Sequence, residues 1–86
     1  MGFLNDNKAA EAGKRAREAR DNGDAVLVYK FIEAITNSKV TAPMTGMSNQ
    51  IQAVEAEGWA LVNMASAEGK AVTGERVALI CLFRRA

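Results

Sequence analysis

Seven consecutive apolar residues, Val77-Ala78-Leu79-Ile80-Cys81-Leu82-Phe83, run without a polar break into Arg84-Arg85. So short an apolar run reads as a strand, and its lack of alternation reads as a strand screened on both faces. It is expected at the centre of a sheet, over residues 75–84. A strand over 59–65, beginning at Trp59, precedes it. The polar connection 66–74, with Gly69 and Gly74, reads as a mobile hairpin loop, so these two strands are antiparallel. Another strand is expected over 25–35, where Val26-Leu27-Val28-Tyr29 and Phe31-Ile32 supply β-branched and aromatic types.

Two helices complete the pattern. Residues 6–21 read as a helix capped by Asn5 or Asp6 and stopped by Asn22-Gly23. Its charges match at helical spacing as Glu11 with Arg15, Lys14 with Glu18 and Arg17 with Asp21. Its apolar stripe is alanine alone: Ala9, Ala12, Ala16 and Ala19. Alanine favours helix but offers little area to bury, so this segment, 1–24, reads as an arm beside a β-α-β-β domain over 25–86. Residues 36–47 read as loop, with a turn cluster at Thr36-Asn37-Ser38 and punctuation at Pro43 and Gly46. The second helix is expected over 48–57, with Ser48 as its cap. Met47, Ile51 and Val54 form its buried stripe, and Gly58 is its left-handed stop.

The fold class is therefore α+β: an N-terminal helix, then a β-α-β-β unit with a three-stranded sheet ordered 1-3-2 and one packed helix. One helix covers one face, yet the strands present apolar residues to both. Either the alanine-striped helix covers the second face or another subunit does. Alanine's small area favours a subunit.

A chain of 86 residues buries only about 60–65% of its unfolded surface, so reinforcement matters. The single cysteine, Cys81, forms no intrachain disulfide, and the absence of histidine leaves no Cys/His zinc cluster. Self-association is the remaining means. The net charge of +1 favours neither nucleic acid nor an anionic membrane. No apolar run reaches the ~20 residues of a membrane span. The opening residues have no signal-peptide core, and Asp6 fails the myristoylation pattern, so cytoplasmic residence is expected.

Three segments together resemble a family of small bacterial domains of unknown function: Tyr29-Lys30, Glu57-Gly58-Trp59-Ala60-Leu61-Val62 and Phe83-Arg84-Arg85. The resemblance covers about 25–85 and implies a fold but no activity. The order of Val28-Tyr29-Lys30-Phe31-Ile32-Glu33, helix and hairpin is also similar to dodecins, small flavin-binding oligomers. The helix here is shorter, and Trp59 stands at the helix–strand junction.

Chemistry is sparsely provided. Without histidine, acid–base work would fall to Asp, Glu, Lys or Tyr. The carboxylates on apolar elements, Glu33 and Glu75, both sit near strand ends. Cys81 reads as core, since a reactive thiol needs exposure and nearby positive charge. Glu68-Gly69-Lys70-Ala71 lacks the spacing of a phosphate loop. No catalytic, metal or cofactor residues are expected, and no enzyme. Trp59 reads as a fold anchor, with ligand stacking as the other reading. The alanine stripe and Arg15, Arg17 and Arg20 are the candidate interaction residues. The expected function is a non-enzymatic homo-oligomeric interaction module, contacting itself and other proteins and no membrane. The alternatives are a nucleic-acid-associated regulator using Arg15, Arg17, Arg20, Arg84 and Arg85, and a dodecin-like flavin-binding oligomer.

Overall fold

The computed structural model describes residues 3–34, 43–71 and 74–86. Its elements are α1 (Phe3–Asp21), β1 (Val26–Ala34), α2 (Thr45–Glu55), β2 (Trp59–Ala71) and β3 (Gly74–Arg85). The strands form one antiparallel sheet in the order β1-β3-β2. The apolar run thus takes the central position its composition demands, and the fold is α+β.

Several boundaries differ from those read from the sequence. β2 extends to Ala71 and β3 begins at Gly74, so the polar stretch 66–74 is mostly ladder. Residues 72–73 between them, and the turn cluster at 36–38, lie outside the described residues. Pairing to β3 holds Ser66 and Ala67 extended despite their modest strand preference. Helix α1 begins at Phe3, so Asn5 and Asp6 lie inside its first turn rather than at its cap position. Its stop is as expected. Gly23 adopts φ 83°, with Gly23 N–H donating to Arg20 O and Asp24 N–H to Ala19 O, both at 3.0 Å. Gly58, at φ 94°, ends α2 in the same left-handed conformation.

Helix α2 starts at Thr45, and Ser48 does not cap it; Gly46, read as loop, is buried in the first turn. The cap comes from another element. The Glu33 carboxylate on β1 accepts from Met47 N–H at 2.8 Å and Gly46 N–H at 3.2 Å, satisfying two N–H groups that a helix start leaves orphaned. A carboxylate there also complements the helix dipole. Glu33→Ala is expected to lower unfolding free energy by about 1–2 kcal/mol in urea titration, with Glu33→Gln keeping part of the loss back. An unchanged midpoint for the alanine variant would show that water serves those N–H groups equally well.

The register sorts the sheet into two faces. Leu27 stands opposite Phe83, Tyr29 opposite Cys81, Phe31 opposite Leu79, and Trp59 opposite Arg85. Cross-strand partners share a face. This face is covered: Phe31, Cys81 and Phe83 are fully buried, in one cluster with Met47 and Val54 of α2 and Ala12, Ala16 and Ala19 of α1. Phe31 packs edge-on to Phe83 with ring centroids 6.1 Å apart, and Tyr29 tilts against Phe31 at 4.8 Å.

Both helices therefore serve the same face. Of the two covers expected for the second face, the alanine-striped helix is not one: α1 lies with α2 on the first face and leaves the second uncovered. The alanines explain why. A Cβ built on Gly13 would lie 3.6 Å from Ala53 O and 3.7 Å from Ala53 Cβ, so α1 approaches α2 closely where it carries no bulk. Small side chains suit a tight helix–helix seam better than a broad sheet surface.

Candidate functional site

The sequence features at residues 57–59 and 83–85 meet at one junction. Trp59 is the opening residue of β2, follows the left-handed Gly58, and is 1% exposed. Its indole Nε1–H donates to Ala16 O of α1 at 3.0 Å. Arg85, its cross-strand partner, sets its guanidinium 5.1 Å from the indole centroid. The same guanidinium donates from Nη2 to Arg20 O at 2.9 Å and from Nε to Asp24 O at 3.0 Å. A cation thus closes the C-terminal end of α1, where the helix dipole favours it. Ala86 N–H donates to Gly58 O at 3.0 Å, tying β3 to the end of α2. With one side of the ring facing a guanidinium and almost none of it exposed, Trp59 has the surroundings of an anchor and offers no surface for a stacked ligand.

The candidate interaction residues of α1 are spent inside the molecule or in local pairs. Arg17 and Arg20 both hold Glu57, at 3.3 and 3.0 Å. Arg15 bonds Glu11 at 2.7 Å and Glu18 at 3.4 Å, and Arg20 also meets Asp21 at 3.4 Å. Of the three pairings read from spacing, only Glu11 with Arg15 is present among the ion pairs of the described residues. Glu18 goes to Arg15 and not Lys14. Arg17 reaches Glu57 across the helix seam, a partner that helical spacing cannot disclose. Ala12, Ala16 and Ala19 are buried and Ala9 is half-buried, so most of the stripe faces the core rather than a partner.

Two surfaces remain. The first is a groove of about 300 Å³ between α1 and the outer edge of β1, lined by Asn7, Lys8, Glu11, Tyr29, Lys30, Ile32 and Gln50. Lys8 Nζ donates across it to Ile32 O at 3.3 Å. Burial first, and the Glu11 carboxylate second, push the Tyr29 hydroxyl above its ordinary pKa, so it stays a neutral phenol. Glu11 is already held by Arg15. The groove therefore assembles no nucleophile beside a base. Cys81 lies in the core instead, where burial raises its thiol pKa, away from the thiolate a nucleophile needs. Among the described residues no group of three potential ligands is placed to hold a metal ion.

The second surface is the uncovered face of the sheet. Val28 is 60% exposed, Val62 54% and Ile80 41%, with Val26 also exposed and Leu82 half-buried. A shallow depression of about 190 Å³ runs between Val28, Asn63, Met64, Ala65, Ile80 and Leu82. Val26, Val28, Val62 and Ile80 together present on the order of 300 Å² of apolar surface, the size of the largest patch on a typical monomer, which is often functional. By register the charged residues here include Lys30, opposite Ile80, Arg84, opposite Val26, and Arg76, opposite Ala34. Lys30 and Arg84 can carry their charge to water at the margin. The described aromatic side chains of the sheet, Tyr29, Phe31, Trp59 and Phe83, belong to the opposite face. The sequence held a signal for this surface: Val26, Val28, Lys30 and Ile32 alternate with Leu27, Tyr29, Phe31 and Glu33.

Among the described residues no helix is long and apolar enough to cross a membrane. Comparison with known protein families, curated proteins and solved structures finds no match to this chain.

Proposed function

We propose that this chain is a non-enzymatic protein-interaction module that self-associates through the uncovered face of its sheet. The observation that carries the reading is the open, apolar face left when both helices pack on one side. Its apolar area is a large part of the non-polar area one partner contributes to a standard interface, which buries about 800 Å² per side at roughly 60% non-polar content. Lys30 and Arg84 provide a polar margin. The setting is the cytoplasm, whose reducing poise suits the lone buried thiol of Cys81.

The other two readings find less support. A nucleic-acid-associated regulator would draw on Arg15, Arg17, Arg20, Arg84 and Arg85, yet all but Arg84 already hold carboxylates, carbonyls or the indole. The open face also lacks the aromatic platform on which single-stranded bases stack. A flavin-binding oligomer would need Trp59 accessible.

The test is sedimentation equilibrium of the full chain at micromolar concentration. A mass above that of one chain is expected, falling in Val28→Asp and in Ile80→Asp, because each would bury an unpaired carboxylate. The association constant should weaken about 100-fold or more. A single-chain mass for the unaltered protein throughout the concentration range would sink the reading.

A further inference from the structure

We propose that two copies of this chain join edge to edge along β2, antiparallel about a two-fold axis, making one continuous sheet of twice the width. This rests on the self-association reading and adds to it a second, distinct contact.

The order β1-β3-β2 leaves two edges, and the molecule treats them differently. The β1 edge is occupied. Lys8 Nζ caps Ile32 O there, α1 walls the groove beside it, and Lys30 lies on the strand. Charges, lysine above all, are the usual means of preventing an edge from pairing. The β2 edge has no such protection along most of its length. Residues 59–67 hold nine positions with neither a charge nor a proline. Asn63, Met64, Ala65 and Ser66 are exposed and uncharged.

A backbone observation points the same way. Met64 N–H donates to the side-chain Oδ1 of its own neighbour Asn63 at 2.8 Å. It therefore faces away from the β3 ladder, and antiparallel alternation puts Ser66 N–H on the same free edge. In a single chain the Asn63 amide stands in for an absent strand. The bulge between Leu61 and Asn63 re-aims the strand just before this segment, so the regular edge begins where the free donor does.

The occupant is a second copy because the segment is complementary to itself. An uncharged strand laid antiparallel on its own image brings no like charges opposite each other, and a two-fold axis uses up both edges at once. The contact is also continuous with the open face: Val62 and Ala65, the latter opposite Ile80, lie on this strand, so joining the edges merges two apolar faces into one.

The test uses the full chain. Met64→Pro and Ser66→Pro each remove an edge-facing donor while sparing the bonds to β3. Each is expected to lower the mass at sedimentation equilibrium with the circular dichroism spectrum unchanged, and to do so additively with Val28→Asp. A second measurement needs no variant. On raising concentration through the association, amide exchange at Met64 and Ser66 should slow about tenfold or more, while Lys30 N–H on the opposite edge keeps its rate. Equal behaviour of the two edges in a protein that does associate overturns the β2 contact and leaves the face contact standing. A single-chain mass at every concentration overturns both.

Discussion

Trp59→Ala is expected to remove about 3–5 kcal/mol of unfolding free energy, most of what a domain of this size possesses. The indole is buried, its N–H is bonded to the backbone of α1, and its ring meets the guanidinium that closes that helix. Deleting it opens a cavity beneath both helices and leaves Arg85 without the ring it covers. Trp59→Phe keeps much of the volume but loses the N–H, so a loss nearer about 1–2 kcal/mol is expected. Far-UV circular dichroism in urea measures both, since the only tryptophan is the residue removed. A double-mutant cycle of Trp59→Phe with Arg85→Gln should show coupling of about 0.5–1 kcal/mol. Additive losses would mean that indole and guanidinium are neighbours without an interaction.

Ala16→Leu is expected to cost about 1–3 kcal/mol, with loss of the α1–α2 contact if the helix cannot shift. Ala16 is fully buried, and its carbonyl accepts the indole N–H. Extra methylenes there push α1 away from α2 and lengthen that bond. Gly13→Ala is the control. Its Cβ meets Ala53 at ordinary van der Waals distance, so the gain in helix propensity, about 1 kcal/mol, should appear as unchanged or raised stability. If both substitutions prove neutral in thermal melts, the seam is looser than its distances imply.

The architecture was legible where local chemistry decides it. An unbroken apolar run marks a central strand, and glycine after a helical segment marks a stop at Gly23 and Gly58. What could not be read comes from contacts distant in sequence. Ser48 looks like a cap, but Glu33 does the capping from 13 and 14 residues away. Arg17 is spaced to meet Asp21 but binds Glu57. The alanine stripe suggested weak attachment because area was weighed and distance of approach was not. The polar stretch 66–71 looked like loop because its strand is imposed by β3 rather than by its own residues. The open face was half legible: apolar residues on both sides of β3 raised the question of a second cover, and the packing of α1 beside α2 leaves it standing.

The sheet order carries a consequence for biosynthesis. β1 and β2 each bond only to β3, which follows both in the chain. As the polypeptide leaves the ribosome, neither earlier strand has a hydrogen-bonding mate, and α1 and α2 have no completed surface to settle on. The sheet is therefore expected to close only once β3 has emerged, when Arg85 and Ala86 can latch onto segments made long before. Chains of this topology form their contacts over long loops, which slows folding. A ribosome-bound intermediate arrested before residue 77 should be digested by protease as readily as an unstructured peptide, and protection should appear abruptly once the β3 sequence has cleared the exit tunnel.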